Sequence, residues 1–307
     1  MAKTRELKRR IKSVQSTKKI TRTMEMVSTS KLKRAQDRVI SARPYAQALA
    51  AAIGDLLTPD LAERYALLRT PPPPDKGGPK TAAVLLVTSN RGLAGAFNAN
   101  LLKMAAARCR ELEAKGYQAE LYLVGKKGIK FFQHAGRKSA LTRTDIGDRP
   151  TAAHSLEIVT PLIAAYEAGT LASLDIVHAN FRSALSTPPA TLRVLPIEAV
   201  GQPAAKADPQ HPSAPAKIKP GANYILEPDA DAILTQLLPL YVKNQVYRAL
   251  VETAASEHGA RRTAMKNATD NADEIMGILT RTYNRARQGQ ITQEISEIVG
   301  GASALAG

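Results

Sequence analysis

The chain has 307 residues, 44% of them hydrophobic, which is enough to build a sizeable core in one to three domains. The formal net charge of +16 at pH 7 favours an acidic partner, such as nucleic acid, an anionic membrane surface or an acidic protein face. The single cysteine, Cys109, excludes a disulfide framework and a cysteine-rich metal site, and no run of about 18 apolar residues is present to span a membrane.

The first region, residues 1–57, is predicted to be one long basic helix. Residues 1–43 hold fourteen Lys/Arg and three acidic residues, a net charge of +11 that accounts for most of the excess.

Residues 58–80 are predicted to be a linker. They contain the run RTPPPPDKGGPK, and consecutive prolines resist both helix and sheet.

The apolar residues of this helix predict a coiled-coil seam. From Leu32 to Leu56 they recur at alternating steps of three and four, the heptad signature. Upstream, the pattern is predicted to run through Leu7, Ile11 and Val14 and then through Ile20, Met24 and Val27, with a break in phase on either side of the second group. Pro44 lies within the pattern, and we expect it to kink the helix rather than to end it.

Residues 81–228 alternate strand-like and helix-like segments, which predicts a Rossmann-like α/β domain with a parallel, helix-covered sheet. The predicted strands are residues 81–87, 119–125, 174–181 and 190–197, and the predicted helices are residues 98–115, 126–134 and 155–167. Residues 201–221 are rich in Ala and Pro and are predicted to form a mobile loop. Residues 222–228 are a candidate edge strand.

The third region, residues 229–299, is predicted to be one long helix, with Asp229 or Asp231 as its cap. From residue 240 to residue 299 it would be about 90 Å long at 1.5 Å per residue. Such a helix needs a partner, and the first helix supplies one. We therefore expect an antiparallel coiled coil with the α/β domain at one end and a flexible tip over residues 300–307.

Residues of the predicted C-terminal seam are often polar or small. The seam contains Asn244, His258 and Arg261 among its apolar positions, and alanine at several others. Polar and small residues weaken the hydrophobic attraction between two helices. The far part of the coiled coil is therefore expected to need support from outside the chain. The predicted seam residues are Ile233, Leu237, Leu240, Asn244, Tyr247, Val251, Ala254, His258, Arg261, Met265, Ala268, Ala272, Ile275, Leu279, Thr282 and Ala286.

No catalytic constellation is evident in the sequence. The run SNRGLAGAFN, residues 89–98, follows the first strand where nucleotide-binding loops occur, but it lacks both the dinucleotide fingerprint and the Gly-Lys-Ser/Thr of a phosphate loop. The five histidines show no metal-ligand spacing. The serines lack the context of a nucleophile elbow. We expect no catalytic residue, cofactor or metal in this chain.

Four motifs resemble the γ subunits of F-type ATP synthases, and together they span nearly the whole chain in order. They are KKITRTMEMVSTSKLKRAQ (residues 18–36), TSNRGLAGAFNAN (88–100), AMKNATDNADEI (264–275) and YNRARQGQITQEISEIVGGASAL (283–305). The last is the most specific of the four. The resemblance implies the central shaft of a rotary motor, in one copy per complex, whose terminal helices form an antiparallel coiled coil inside a hexamer of α and β subunits.

The same resemblance implies the remaining partners. The α/β domain would sit beside the ε subunit on the ring of membrane c subunits, so that membrane association is indirect. Rotation of the ring and shaft would drive each catalytic β subunit through its conformational cycle. The implied location is the cytoplasmic face of the bacterial inner membrane, with the mitochondrial matrix face as the alternative.

Residue roles are carried over from the family motifs. Arg287, Gln288, Thr292 and Glu294 match a segment that engages a β loop like a catch; a solvated helix face is the alternative. The positions of Met24, Arg22 and Lys19 match a region near the lever loops of β, although Met24 is equally well explained as a seam residue. Ile295, Ile298 and Val299 match the apolar tip held in the top bearing of the hexamer.

Two rival functions are compatible with parts of the sequence. A nucleic-acid-binding coiled-coil protein would explain the basic first helix, since phosphate contacts scale with Lys and Arg. Aromatic residues make up only 4% of the chain, however, and no base-stacking platform is evident, so no nucleic-acid partner is expected. A soluble Rossmann-like enzyme would need a cofactor loop that is missing.

Overall fold

The computed structural model describes residues 2–56, 64–197 and 230–305. The predicted loop at residues 201–221 and the candidate strand at 222–228 lie outside the described residues, as does Asp229. The chain forms two compact units: unit 1 comprises Met1–Thr29 and Arg261–Gly307, and unit 2 comprises Ser30–Ala260.

Five α-helices and five β-strands make up the described part of the chain. The helices are α1 (Ala2–Leu56), α2 (Phe97–Ala114), α3 (Lys126–His134), α4 (Ala152–Glu167) and α5 (Ala230–Leu305). The strands are β1 (Thr81–Val87), β2 (Gln118–Val124), β3 (Ser139–Arg143), β4 (Leu171–Ala179) and β5 (Pro189–Leu195). Helix α1 continues through Pro44, as predicted. Helix α5 continues six residues beyond its predicted end at Val299.

The strands of unit 2 form one sheet in the order β3-β2-β1-β4-β5. The prediction of a wholly parallel sheet was wrong at one edge, because β5 pairs antiparallel with β4. Only nine residues join these strands, and a parallel connection needs a crossover of about a dozen or more. Strand β3 was missed: it is a five-residue edge strand with alternating partial exposure, which gives little hydrophobic signal.

Both faces of the sheet are covered, as the near-continuous apolar run of β1 predicts. Alternate β1 residues point to opposite sides. Ala83, Leu85 and Val87 join a core that includes α4 and the parts of α1 and α5 that lie in this unit. Ala82, Val84 and Leu86 join a second core formed with α2 and α3. The two long helices thus attach to the sheet on the same side as α4.

The described part of the predicted linker packs against the α/β domain. Leu67 is buried in the core beside α4, and its carbonyl accepts a backbone hydrogen bond from Ile197. The Tyr65 hydroxyl donates to the Asp231 carboxylate at 2.7 Å, so Asp231, proposed as a helix cap, also accepts a bond from this segment. Hydrogen bonds and core packing therefore fix part of residues 58–80.

The seam of α1 keeps one heptad phase along the described helix, and the predicted breaks are absent. Ile20 and Val27, predicted as seam residues, are 60% and 51% exposed, whereas Thr21 and Ser28 are 8% and 3% exposed. The prediction followed the apolar residues, but the phase set from Leu32 onward continues upstream through polar ones. Less exposed positions recur at steps of three and four: residues 4, 7, 11, 14, 18, 21, 25, 28, 32, 35 and 39.

The seam of α5 also differs from its prediction in places. Ile275 and Leu240 are exposed, and Thr282 is exposed as well. In unit 1 the less exposed positions instead include residues 265, 269, 272, 276, 279, 283, 286 and 290, one residue later than predicted at three points, 269, 276 and 283. In unit 2, residues 249–256 of α5 are buried on all sides, because this part of the helix lies within the α/β domain rather than against one partner helix.

Helices α1 and α5 run antiparallel in unit 1. Three side-chain pairs join them: Thr4 with Gln290, Lys18 with Asp273, and Thr21 with Thr269. As the number on α1 rises, the number of its partner on α5 falls, which only an antiparallel pair produces. Within unit 2, α1 and α5 again pack together, through Leu32, Ala35 and Val39 of α1 and Val251 and Ala255 of α5.

Candidate functional site

The predicted catch residues lie on the exposed side of α5 in unit 1. Arg287, Gln288, Thr292 and Glu294 are all exposed. At about 100° per residue they fall within about 160° of the helix circumference. The half-buried seam residues nearby, Tyr283, Ala286 and Gln290, occupy a different side, centred about 120° away. The structure thus brings the four predicted residues together on a face that α1 does not cover.

Apolar side chains share this exposed face of α5. Ile295, Ile298 and Val299, predicted as the bearing, are exposed, and so is Ile291, which the sequence analysis missed. Ile291 lies four residues before Ile295, so helical spacing would have identified it as the first member of the group. Four exposed aliphatic residues on one helix face are unusual for a surface without a partner. We call the eight residues, four polar and four apolar, the outward face of α5.

Local hydrogen bonds hold part of the outward face in helical geometry. Thr292 donates to the Gln288 carbonyl at 3.0 Å, and the Gln290 amide donates to Glu294 at 3.1 Å. Gln290 also contacts the Thr4 hydroxyl of α1 at 3.1 Å, the contact between α1 and α5 nearest the chain end among those described. Beyond it, residues 291–300 are exposed at every position. The final turns of α5 therefore project past the start of α1.

The predicted lever residues do not form one surface. Met24 is half-buried at the edge of the α1 seam, while Lys19 and Arg22 are exposed. Two residues apart on a helix means about 200°, so Met24 and Arg22 point to opposite sides. Met24 therefore contributes to helix packing. Lys19 and Arg22 remain available on the outer surface, near the exposed Met26.

Unit 1 exposes many large apolar side chains in addition to those on its seam. Nine are exposed on its described part: Ile20, Met26, Val27, Ile275, Ile278, Ile291, Ile295, Ile298 and Val299. Its buried described residues are Met265 and Ala272 among the apolar ones, and Thr21, Ser28, Arg261 and Thr269 among the polar ones. Half-buried apolar residues such as Leu7, Val14 and Leu279 complete the seam, so packing between the two helices does not account for the nine exposed side chains.

The loop after β1, where a nucleotide would be expected in a Rossmann-like domain, uses its polar groups internally. Both the Ser89 amide and its hydroxyl lie within 3.1 Å of the Asn98 Oδ1 acceptor. Thr88 Oγ1 accepts from the Gly128 amide at 2.9 Å, and Asn90 Oδ1 accepts from the Lys126 amide at 3.0 Å. These amides form the first turn of α3, where a phosphate would otherwise bind.

The ends of β1 and β2 approach each other too closely for a side chain at Gly125. Its φ is +97°, and a Cβ there would lie 2.1 Å from the Thr88 carbonyl oxygen. Glycine thus allows the turn that leads into α3. Beside it lies a cavity of about 340 Å³ between the carboxyl ends of β1–β3 and α5, lined by Arg91, Lys126, Asp148 and Glu257 among others. Its two basic and two acidic side chains give it no net charge to attract an anion.

Two further groups of buried charge lie in unit 2. Asp175 of β4 is almost fully buried and is bound by Arg108 of α2 at 3.0 Å and by Arg193 of β5 at 3.2 Å. His178 of β4 is buried 3.9 Å from Glu252 of α5, and this desolvation lowers the pKa of His178 despite the opposing effect of the carboxylate. Both groups lie inside the domain, so they act on stability rather than on a bound substrate.

A model of the ATP synthase family matches residues 3–305 of the chain. The chain is also 55% identical over 309 residues to the ATP synthase gamma chain of Gemmatimonas aurantiaca, and the match covers 100% of both chains. The chain belongs to the ATP synthase gamma chain family. The gamma chain of Moorella thermoacetica is 43% identical over 305 residues, covering 99% of this chain and 100% of that one.

Solved structures share the fold of this gamma-chain family member. A chain in the mitochondrial ATP synthase of Euglena gracilis, in a structure of OSCP, F1 and c-ring, superposes with a TM-score of 0.68 at 18% identity, covering 99% of this chain and 95% of that one. A chain from the rotor of the same enzyme gives a TM-score of 0.63 at 17% identity, covering 94% and 99%.

Within residues 2–56, 64–197 and 230–305, no helix combines the length and apolarity that crossing a bilayer requires. In the same ranges, no cluster of three or more His, Cys, Asp or Glu side chains is arranged to hold a metal ion.

Proposed function

We propose that this gamma chain is the central rotor shaft of a proton-translocating F-type ATP synthase, coupling rotation of the c-ring to the conformational cycle of the catalytic β subunits. The observation that carries the proposal is the set of nine large apolar side chains that unit 1 exposes. A sleeve of α and β subunits would cover them.

The chemistry of unit 1 suits a contact that must be made and broken repeatedly. Residues 1–29 carry nine Lys/Arg and two acidic residues, so their outer surface attracts acidic loops. Exposed ion pairs are worth about 0–1 kcal/mol each, which permits sliding, whereas a deeply buried pair would hold the shaft in one position. Lys19 and Arg22 are well placed for such contacts because both are exposed.

The outward face of α5 is proposed as the catch and bearing. Arg287 and Gln288 lie next to the apolar group, so one loop of a β subunit can contact both. Arginine binds a carboxylate in a directional, bidentate manner, and this fixes orientation without a covalent step. Ile291, Ile295, Ile298 and Val299 would turn against an apolar collar, where contacts are non-directional and present little resistance to rotation.

We further propose that the chain itself is non-catalytic. The Ser89 amide after β1 donates to Asn98 of α2, and the Lys126 and Gly128 amides of α3 donate to Asn90 and Thr88, so these groups are already hydrogen-bonded within the chain. ATP would be made and hydrolysed in the β subunits. The chain would lie on the cytoplasmic face of a bacterial inner membrane, one copy per complex, with its α/β domain on the c-ring beside the ε subunit.

Single-molecule rotation of the reconstituted complex tests this proposal. Lys103 of α2 is exposed, and Lys103→Cys allows a bead to be attached. Cys109 is buried, and burial raises the pKa of its thiol, so it competes poorly for the label. With β subunits fixed to a surface, ATP should turn the bead in one direction with three pauses per turn. ATP hydrolysis with a stationary bead would refute a rotor role.

Calorimetric titration of the isolated chain with ATP tests the non-catalytic proposal separately. Negligible heat is expected. Saturable, tight binding followed by hydrolysis would overturn it, whatever the outcome of the rotation assay.

A further inference from the structure

The segment after β3, residues 144–150, carries one residue that lies against both long helices. That residue is Asp148. Its carboxylate forms an ion pair with Lys31 of α1, and its carbonyl oxygen accepts a hydrogen bond from Arg38 of α1 at 3.0 Å. On the other side, His258 of α5 lies 3.4 Å from Asp148 Oδ1. All of these residues belong to unit 2.

The segment that carries Asp148 is itself fixed to the sheet. The Asn90 amide donates to the carbonyls of Thr144 and Ile146 at 3.0 and 3.1 Å. Ile146 is buried in the core with α4. Asn90 follows β1 and also binds the first amide of α3. A force on Asp148 is therefore passed to the centre of the sheet.

The charges around Asp148 favour its ionised form. Partial burial alone would raise the pKa of Asp148, but the hydrogen bond from Lys31 and the nearby His258, Lys31 and Arg91 outweigh it, and the pKa lies below its usual value. The carboxylate therefore stays charged at neutral pH. His258 is 2% exposed, so this side of the contact is shielded from solvent.

Apolar packing attaches both long helices to the sheet, and α5 has hydrogen bonds to the sheet as well. Leu49 and Ile53 of α1, and Leu234, Leu238 and Val242 of α5, pack in the core on the α4 side. Thr253 and Ser256 of α5 hydrogen-bond to the backbone of Ala179 in β4. Apolar packing is non-directional, so it resists separation better than it resists sliding or twisting of a helix about its axis. Asp148 adds directional, charge-assisted bonds that fix one orientation of α1.

We infer that Asp148 is a positioning residue that locks α1 to the α/β domain, so that turning the domain turns α1 with it. This inference rests on the proposed rotor function. Helix α1 continues from unit 2 into unit 1, so a rotation held at Asp148 passes along a continuous backbone. Without the lock, the domain would slip or twist against α1 under load.

The test uses the assembled complex in inverted membrane vesicles and compares ATP hydrolysis with the largest proton gradient that ATP can sustain. Asp148→Asn and Lys31→Met should each keep unloaded hydrolysis within about twofold of wild type and lower the limiting gradient at least threefold. Their double variant should be no worse than either, because both remove one interaction. Asp148→Glu, which keeps the charge, should restore most of the gradient.

Matched controls come from neighbouring charges that do not join the helices to the domain. Asp145→Asn removes a carboxylate three residues away that pairs with Arg143, and Lys33→Met removes an exposed lysine of α1. Both should pump like wild type. Wild-type gradients with Asp148→Asn, or additive losses in the double variant, would overturn the inference. If the wild-type complex pumps protons, the rotor proposal stands whatever the variants do. If the wild-type complex does not pump, both the rotor proposal and the inference about Asp148 are overturned.

Hydrogen exchange on the isolated full chain covers the case in which a variant does not assemble. Asp148→Asn should speed exchange both in residues 144–150 and in residues 31–38 of α1, whereas Asp145→Asn should leave α1 unchanged. Unaltered α1 exchange in Asp148→Asn would show that the two elements are not locked by this residue, and would overturn the inference.

Discussion

The hydroxyl groups of Thr21 and Thr269 lie 2.8 Å apart across the helix pair of unit 1, and both residues are buried. Each hydroxyl also lies within hydrogen-bond distance of a carbonyl of its own helix: Thr21 of Lys18 at 3.0 Å, and Thr269 of Met265 at 2.9 Å. The two hydroxyl protons serve two of these three contacts at a time, so one threonine donates to the other, which donates to its own helix. A seam position that could hold valine thus holds a polar residue with a hydrogen-bond partner. The helix pair therefore has less hydrophobic attraction at this level, and the contact between the two hydroxyls fixes the register of the two helices.

Replacing both threonines tests how much stability this pair contributes. Thr21→Val alone should cost about 0.5–1 kcal/mol of local stability, since one hydrogen bond is lost while Thr269 keeps its backbone acceptor. The double variant with Thr269→Val should fall within about 0.5 kcal/mol of wild type or above it, because apolar groups of the same shape replace both partners. Hydrogen exchange of residues 15–25 and 265–275 measures both.

Thr282→Val serves as the control for this pair, because Thr282 makes the same backbone hydrogen bond, to Ile278, but is exposed. It should leave exchange in both segments unchanged. A double variant that is less stable than the single one would mean that the hydroxyl pair is a net stabilising contact.

Apolar residues of α1 predicted its seam correctly at Leu7, Ile11 and Val14 and again from Leu32 onward. Between those stretches, seam positions hold Lys18, Thr21, Glu25 and Ser28, so a search for hydrophobic periodicity selected Ile20 and Val27 instead. Those two residues are exposed, so packing between the described helices does not account for their apolar character. Carrying the heptad backward from Leu32 would have found the correct phase, at the expense of the apolar pattern.

The sequence alone could not predict the long-range polar contacts. Asp148 contacts Lys31 and Arg38, which lie 117 and 110 positions away in the sequence, and no local pattern links them. The main strands and helices of the α/β domain, by contrast, follow from continuous apolar runs and turn residues, because each buries its side chains on both faces or along one stripe. The outward face of α5 was predicted from family motifs, while its exposure and the role of Ile291 required the structure.

The exposed apolar group of α5 should matter for assembly and not for folding. Replacing Ile295, Ile298 and Val299 together with serine should change the local stability of unit 1 by less than about 0.5 kcal/mol, since these side chains make little contact within the chain. Binding to a hexamer of α and β subunits should weaken at least tenfold. Hydrogen exchange and co-sedimentation with the hexamer measure the two effects.

Leu279→Ala is the matched comparison for that variant. Leu279 is half-buried on the seam side of the same helix. Its truncation should cost about 1–2 kcal/mol of local stability, because packing against α1 is lost. If the triple serine variant destabilised the isolated chain as much as Leu279→Ala does, the outward face would be part of the fold rather than a contact surface.

Arg287 and Gln288 offer a test of the proposed catch. Replacing both with alanine should lower ATP hydrolysis by the reconstituted complex about threefold or more, because a directional contact with a β subunit is lost, while thermal unfolding of the isolated chain stays unchanged. Arg285→Ala, which removes a nearby exposed arginine outside the group, should have less effect. Unchanged hydrolysis in the double variant would remove these residues from the functional surface.

His178 should give the α/β domain a specific pH dependence. Burial lowers its pKa in the folded chain below that of the unfolded chain, about 6.5, so the unfolded state binds more protons on acidification. The stabilising effect of the neutral, buried ring is complete above that unfolded pKa. It is lost progressively as the pH falls from about 7 toward the folded pKa. Urea unfolding of wild type should therefore show falling stability from pH 7 to pH 5.

His178→Gln should flatten this part of the profile, since glutamine does not titrate, although the variant will start from a lower stability because an isolated amide replaces the ring in a buried site. His134→Gln removes an exposed histidine at the end of α3 and should keep the wild-type slope. If His178→Gln keeps the wild-type slope, groups other than His178 cause the pH dependence of stability.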